Sequence, residues 1–394
     1  MTNAVNRHTL ELYRRAPELG PRVLFFSGGT ALRHTARALT EYTHNSIHLV
    51  TPFDSGGSSA VLRKAFGMPA VGDIRNRLMA LADQSVAGNP EVCELFAHRL
   101  PKQANQTELC EELDALTSGR HPLLARIPDP MRTIIRNHFK HFCKAMPKDF
   151  DLRGASLGNM VLTAGYIYGH SSMDPVLHIF TRLARVCGEV RPTVNRDLHM
   201  AVKLRDGSVV IGQHKITGKE TPPLTSPVEE VWLTASLSDP TPAESVIRCK
   251  VKDLIYGADL ICYPPGSFFS SVIANLLPQG VGKAVAGNPC PKVYVPSTGR
   301  DPEATGLSVA DQAQLLMDHL HKSGSPTHAR PLEYVIVDSR DGDYPGGLDK
   351  AALKAQGLTV IDRPLASRKE PSRLDPYRLC ETLLSLTSIS PPTR

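Results

Sequence analysis

The chain has 394 residues, with 45 lysines and arginines against 39 aspartates and glutamates and 41% hydrophobic residues, a globular composition long enough to bury a sizeable core. Its longest apolar runs, such as Val23 to Phe26 and Val335 to Val337, fall far short of the ~20 residues a membrane helix needs. The net charge of +6 is spread without a basic block interleaved with aromatics, so neither a membrane nor a nucleic acid is expected as a partner. Arg7, His8, Glu11, Arg14 and Arg15 stand where an export signal would be apolar, and a cytoplasmic protein is expected. Eight cysteines scattered singly predict reduced thiols.

The run Arg22 to Phe26 ends at Ser27-Gly28-Gly29-Thr30, after which Leu32, Thr35, Ala36 and Leu39 recur at helical spacing. A second apolar run, Ile47 to Val50, ends at Thr51-Pro52-Phe53-Asp54, and the pair predicts parallel strands joined by a crossover helix. From Ile74 to about Met146 the apolar spacing is helical, which predicts a helical insertion over 74–150. Two more helices are expected at Leu157 to Tyr168 and from a cap at Asp174-Pro175 to Val186.

The period then changes. Leu198 to Leu204 and Val209 to Gln213 alternate around Asp206-Gly207, a hairpin signal, and a β insertion is expected over 188–236. The α/β alternation resumes with a helix through Leu254, strands at Asp259 to Cys262, Lys292 to Val295 and Tyr334 to Val337, a helix from Val309 to Leu320, and a last helix at Tyr377 to Leu386. The expected fold is thus a single α/β domain over 1–394, a Rossmann-like three-layer parallel sheet carrying both insertions.

Ser27-Gly28-Gly29-Thr30 lies where a strand feeds a helix, so its amides and the helix N-terminus are placed to hold a phosphate; a purely structural turn is the rival. Asp54 falls at the same sheet end, and Asp73, in Gly72-Asp73-Ile74-Arg75-Asn76, offers a second carboxylate or an ordinary helix cap. Two such oxygens beside a phosphate loop suit Mg²⁺. Pro264-Pro265-Gly266-Ser267 repeats the geometry of the first loop, and Asn159 stands at a helix start. His138 and His141, three apart, have no third ligand nearby and read as packed or solvated.

In this order the blocks Ser27 to Thr30, Asp54-Ser55-Gly56-Gly57-Ser58-Ser59 through Arg63, Gly72 to Asn76, Leu157-Gly158-Asn159, Arg191-Pro192-Thr193, Pro265-Gly266-Ser267 and Asp375-Pro376 resemble the CofD/YvcK family. That family unites phospholactate-type transferases of deazaflavin cofactor synthesis with nucleotide-sugar-binding regulators, and Gly-Gly-Ser-Ser and Gly-Asp-Ile-Arg-Asn are worded more like the YvcK branch. The resemblance implies a metal, Mg²⁺, held by Asp54 and Asp73, the catalytic pair of the transferases. It implies phosphate or nucleotide at Gly28, Gly29, Thr30, Gly266 and Ser267, with Ser58, Arg63, Arg75, Asn76 and Asn159 lining the cleft. The expected activity is metal-dependent transfer of a phospho-group from a nucleotide diphosphate donor to an alcohol. The alternative is a non-catalytic regulator that binds a nucleotide sugar. The ligand would be a guanosine diphosphate adduct in the first case, and a homo-oligomer is compatible with either. The chain departs from the family pattern at Ala31, where glycine is usual, and at Ser55, where a second acid is common.

Overall fold

The computed structural model describes residues 7–85, 87–218, 221–367, 370 and 372–387. Ten strands form two sheets. The larger takes β1 (Val23–Ser27), β2 (Ile47–Val50), β3 (Glu189–Pro192), β7 (Leu260–Tyr263), β8 (Lys292–Tyr294), β9 (Tyr334–Val337) and β10 (Thr359–Asp362) in the order β10-β9-β8-β7-β1-β2-β3. All its pairs are parallel. The smaller sheet is antiparallel, with β4 (His199–Leu204) between β5 (Val209–Ile211) and β6 (Val228–Thr234).

β1 is apolar on both faces because both are covered, as a parallel sheet requires. Leu24 and Phe26 face one core, shared with Met200 and Leu233 of the small sheet and with the helices Cys249–Tyr256, Val281–Gly287 and Val309–Lys322. Val23 and Phe25 face the other, closed by the helices Arg33–Leu39 and Pro376–Thr387. Helices Gly72–Leu81, Pro90–Ala97, Gln106–Ser118 and Met131–Ala145 build a third core around Phe96, Phe139, Phe142 and Phe180.

Two expected boundaries move. The segment 188–236 does not all join the small sheet: Glu189–Pro192 pairs in parallel with β2, burying Val190 and Pro192 as the edge of the large sheet, and the antiparallel ladder starts only at His199. Asp174 does not cap the helix Met173–Leu183: the helix starts one residue earlier, with Ser172 at its N-cap position, and Asp174 stands inside the first turn with its carboxylate paired to Arg191 Nη1 at 2.6 Å. All eight cysteines are unpaired. Among the described residues His138 and His141 join no group of three metal-ligating side chains: the first bonds its own helix at the Ile134 carbonyl, and the second packs on Tyr168. Among the described residues no helix is long and apolar enough to cross a membrane.

Candidate functional site

β1 runs on to β2 on one side and lies against β7, more than 200 residues later in the chain, on the other. The chain reverses direction across the sheet there, so the loops leaving β1 and β7 part at their carboxyl ends and open a crevice. It holds a cavity of about 170 Å³ bounded by residues 27–32, Asp54, Asp73, Gln213, His214 and the loop from Pro264 to Val272. Gly28, Gly29, Thr30, Gly266, Ser267, Asp54 and Asp73, expected from widely separated segments, therefore meet around one space.

Two of these glycines are closely approached by neighbouring residues. A Cβ on Gly28 would run into the Ser271 side chain, and one on Gly29 into the Asp73 carboxylate. Beneath the turn lies Arg77, whose Nη2 donates to the carbonyls of Gly28 at 3.1 Å and Gly29 at 3.4 Å. Its side chain is 1% exposed, and burial pushes its pKa down to about 10 against the opposing pull of Asp73. The guanidinium remains charged at neutral pH. It places a poorly solvated positive charge directly under the glycine turn, where it acts on any anion seated above.

The second loop is tied mostly to its own chain. Gly266 N–H donates to Ser297 Oγ at 2.8 Å, Phe268 N–H to Asp301 Oδ2 at 2.8 Å and Ser270 N–H to Glu303 Oε2 at 2.8 Å. A single wide turn, Phe268–Ile273, follows with π-type bonding, a distortion that concentrates at functional sites. This loop thus meets the cleft chiefly with serine hydroxyls and apolar atoms, while the Gly28 turn supplies the open backbone.

Asp54 is half-buried and accepts from the Gly56 amide at 3.1 Å through Oδ1. Oδ2 lies near Gly72, the residue before Asp73. The two carboxylates thus border the cavity from adjoining helix starts. They offer the hard oxygen donors that Mg²⁺ takes together with ligand phosphate and water.

Five expected cleft residues do not border the cavity. Arg63, with a side chain only 4% exposed, pairs with Asp197 at 2.5 Å and donates to the carbonyls of Phe53, Asp54 and Leu198. It fastens the loop after β2 to the approach to β4. Arg75 bonds Ser156 Oγ at 3.0 Å and Asn76 Oδ1 at 2.6 Å. Burial, with Arg99 and Arg33 nearby, lowers its pKa to about 10. Asn159 is fully buried and donates to Ser58 Oγ at 3.3 Å. Together they brace the wall behind Asp73.

Sequence reasoning missed what the small sheet contributes. The short helix Gln213–Ile216 after β5 brings Gln213 and His214 to the cavity, and Ser55 Oγ lies 2.7 Å from His214 Nδ1. The serine that replaces a common family acid is thus the point where the small sheet docks. Arg77 was also missed, although it stands four residues after Asp73 and so on the same helix face.

Glu303 is fully buried behind the wide turn and bonds both the amide and the hydroxyl of Ser270. Desolvation, reinforced by Asp301, pushes its pKa from the ordinary 4.5 up to about 7. The folded protein therefore holds this proton more tightly than the unfolded chain, and stability falls as pH rises from about 4.5 to about 7. Thermal melts across that window should show the decline in the wild type and a flatter profile in Glu303→Gln; parallel profiles would remove Glu303 from the pH response.

The chain is similar to known proteins along most of its length. The family described as 2-phospho-L-lactate transferase CofD matches residues 23–366. The chain belongs to the CofD family. The match runs from β1 through β10 and takes in every cleft segment described above. A putative gluconeogenesis factor of Thermoanaerobacterium thermosulfurigenes is 29% identical over 93% of this chain and 97% of its own length. The gluconeogenesis factor of Bacillus subtilis is 28% identical over 93% and 98%. A crystal structure of a UPF0052-family protein from Bacillus halodurans superimposes with a TM-score of 0.67 at 24% identity, over 92% of this chain and 99% of that one. Within the CofD family, the chain thus resembles full-length relatives named for gluconeogenesis.

Proposed function

We propose that this protein binds a nucleotide-linked phosphate ligand, as its Mg²⁺ complex, in the cleft between β1 and β7, and acts as a ligand-responsive regulator of the gluconeogenesis-factor kind. One observation carries the reading: the cavity joins a glycine turn and two carboxylates but is bordered by no lysine or arginine among the described residues. Phosphoryl transfer depends on cationic groups that neutralise charge developing on the transferred group. Here Arg63 and Arg75 are engaged inside the protein, and the charges that reach the cleft, Arg77 under the turn and the metal, would both act on a ligand phosphate already seated there. No mobile cationic side chain stands among the described lining residues to follow a transferred group, which favours ground-state binding over transfer. Asp54 and Asp73 would hold the metal, which would neutralise the ligand phosphates when bound.

Transfer of a phospho-group, the activity in the family's name, is the second reading, and the two carboxylates at one wall favour it. Native mass spectrometry of freshly purified protein distinguishes the two. A co-purifying nucleotide sugar supports the regulator, and a guanosine diphosphate adduct supports the transferase.

Metal and ligand should bind together, since two carboxylates hold Mg²⁺ weakly until phosphate oxygens complete the shell. In calorimetry with the co-purifying nucleotide, chelating Mg²⁺ or introducing Asp54→Asn should each weaken binding by about 10-fold or more, the loss of one charge-assisted ligand. Unchanged affinity in both would make Asp54 a structural residue and remove the metal from the site.

A further inference from the structure

Outside the cleft, one group of side chains among the described residues has the composition and spacing of a metal centre. His98 follows the helix Pro90–Ala97, Glu112 lies in the helix Gln106–Ser118, and His121 precedes the helix Pro122–Ala125. One nitrogen from each histidine and one oxygen from Glu112 all fall within 4.8 Å of one another. His98 Nε2 is 3.3 Å and His121 Nε2 3.4 Å from the same atom, Glu112 Oε1. Ligands about 2.0–2.2 Å from a tetrahedral ion are separated by about 3.4 Å, so both measured separations match the edge of such a polyhedron.

We propose that His98, Glu112 and His121 bind one divalent ion of the zinc class, with water as the fourth ligand. Two imidazoles and one carboxylate form a borderline donor set suited to Zn²⁺. The three side chains are 35%, 23% and 10% exposed, from His98 through Glu112 to His121, so solvent reaches the remaining position. The two histidine nitrogens lie within 4.8 Å of each other, and His98, the most exposed of the three, is the side chain freest to adjust that separation.

His121 Nδ1 accepts from the Leu123 amide at 3.2 Å, which leaves the proton of a neutral ring on Nε2, toward Glu112. An ion at Nε2 takes the place of that proton, which moves to Nδ1. The contact given up is a long cap on a helix of four residues.

The ion would act as a staple. The His98 carbonyl accepts from Leu157 N–H at 3.1 Å, and Arg99 donates to the Gly154 carbonyl. Ser156, next to Leu157, holds Arg75 on the helix that carries Asp73. An ion joining three helical segments here would stiffen the wall behind the cleft from a distance, since none of its ligands borders the cavity.

The test uses the full chain without an affinity tag, titrated with Zn²⁺ against a chromophoric chelator in excess Mg²⁺, added to compete zinc away from Asp54 and Asp73. About one zinc per chain is expected, with a raised melting temperature, at least ~100-fold weaker binding in Glu112→Gln and His121→Ala, and unchanged binding in Asp54→Asn. His98→Ala gives the same reading if His121→Ala does not fold. Absence of stoichiometric uptake overturns the proposal, as does zinc retained in the Glu112 and histidine variants, which would place the ion on cysteines or in the cleft.

Discussion

Replacing Gly28 by valine is expected to weaken ligand binding by roughly 100-fold or more, the largest functional effect of any single change in the cleft. The first added carbon already meets Ser271: its Cβ would lie 2.8 Å and its Cα 3.3 Å away. The neighbour includes backbone of the wide turn Phe268–Ile273, so the collision cannot be relieved by rotating a flexible side chain. The loops leaving β1 and β7 must separate, and the cavity between them loses its shape. Because the strain lies at the end of a strand, the fold should lose only about 1–3 kcal/mol, the usual range for overpacking. Calorimetry of binding beside a thermal melt checks both parts. Native affinity in a folded Gly28→Val protein would place the phosphate elsewhere.

Arg63→Ala should do the reverse, with a large loss of stability and a small change in affinity. Its side chain is 4% exposed and faces a carboxylate, Asp197, that keeps 31% of its exposure. Removing the guanidinium leaves Asp197 without its partner and three carbonyls, of Phe53, Asp54 and Leu198, without their donor. Breaking a buried pair from one side costs about 3–5 kcal/mol, and the partial exposure of Asp197 puts this case near the lower end. Urea unfolding should show the lowered midpoint. The double variant with Asp197→Ala should be less destabilised than the sum of the two single changes, because each single change strands the other's charge. A folded Arg63→Ala protein that retained its midpoint but lost its ligand would return Arg63 to the cleft.

These two residues also show what could be read from sequence. Gly28 was legible because a glycine pair between an apolar strand and a helix has a geometric meaning that survives without neighbours. The central strands were legible for the same reason: β2 and β9 fall on Ile47–Val50 and Tyr334–Val337 as their apolar runs indicate. β10 was not, since Thr359–Asp362 is a short edge strand with both ends exposed and no apolar run. The helix Val281–Gly287 was hidden by its glycines and short length.

Arg63 was misplaced for a different reason. Family wording identifies that an arginine is required, but its partner Asp197 lies 134 residues away, and only folding reveals that the charge is consumed internally. Arg77 presents the converse: its charge lies under the glycine turn, yet a lone arginine in a helix carries no signal of that position. Gln213 and His214 follow a hairpin that reads as peripheral, and the contact that brings them to the cleft, through Ser55, spans 159 residues.

The position of β1 governs how the protein is made. Its partner on one side, β2, leaves the ribosome almost at once, but Phe25 pairs on the other side with Cys262, which is synthesised 237 residues later. Throughout that interval a fully buried, apolar strand has an unpaired edge, the feature that recruits other chains. The helical segment and the small sheet are translated during this wait. Both pack on the early strands, through Val50 and through Leu24 and Leu49 respectively, and shield their faces without closing the edge. Chains truncated before β7 should therefore aggregate and lack any ligand site, so productive synthesis depends on how quickly the second half follows the first.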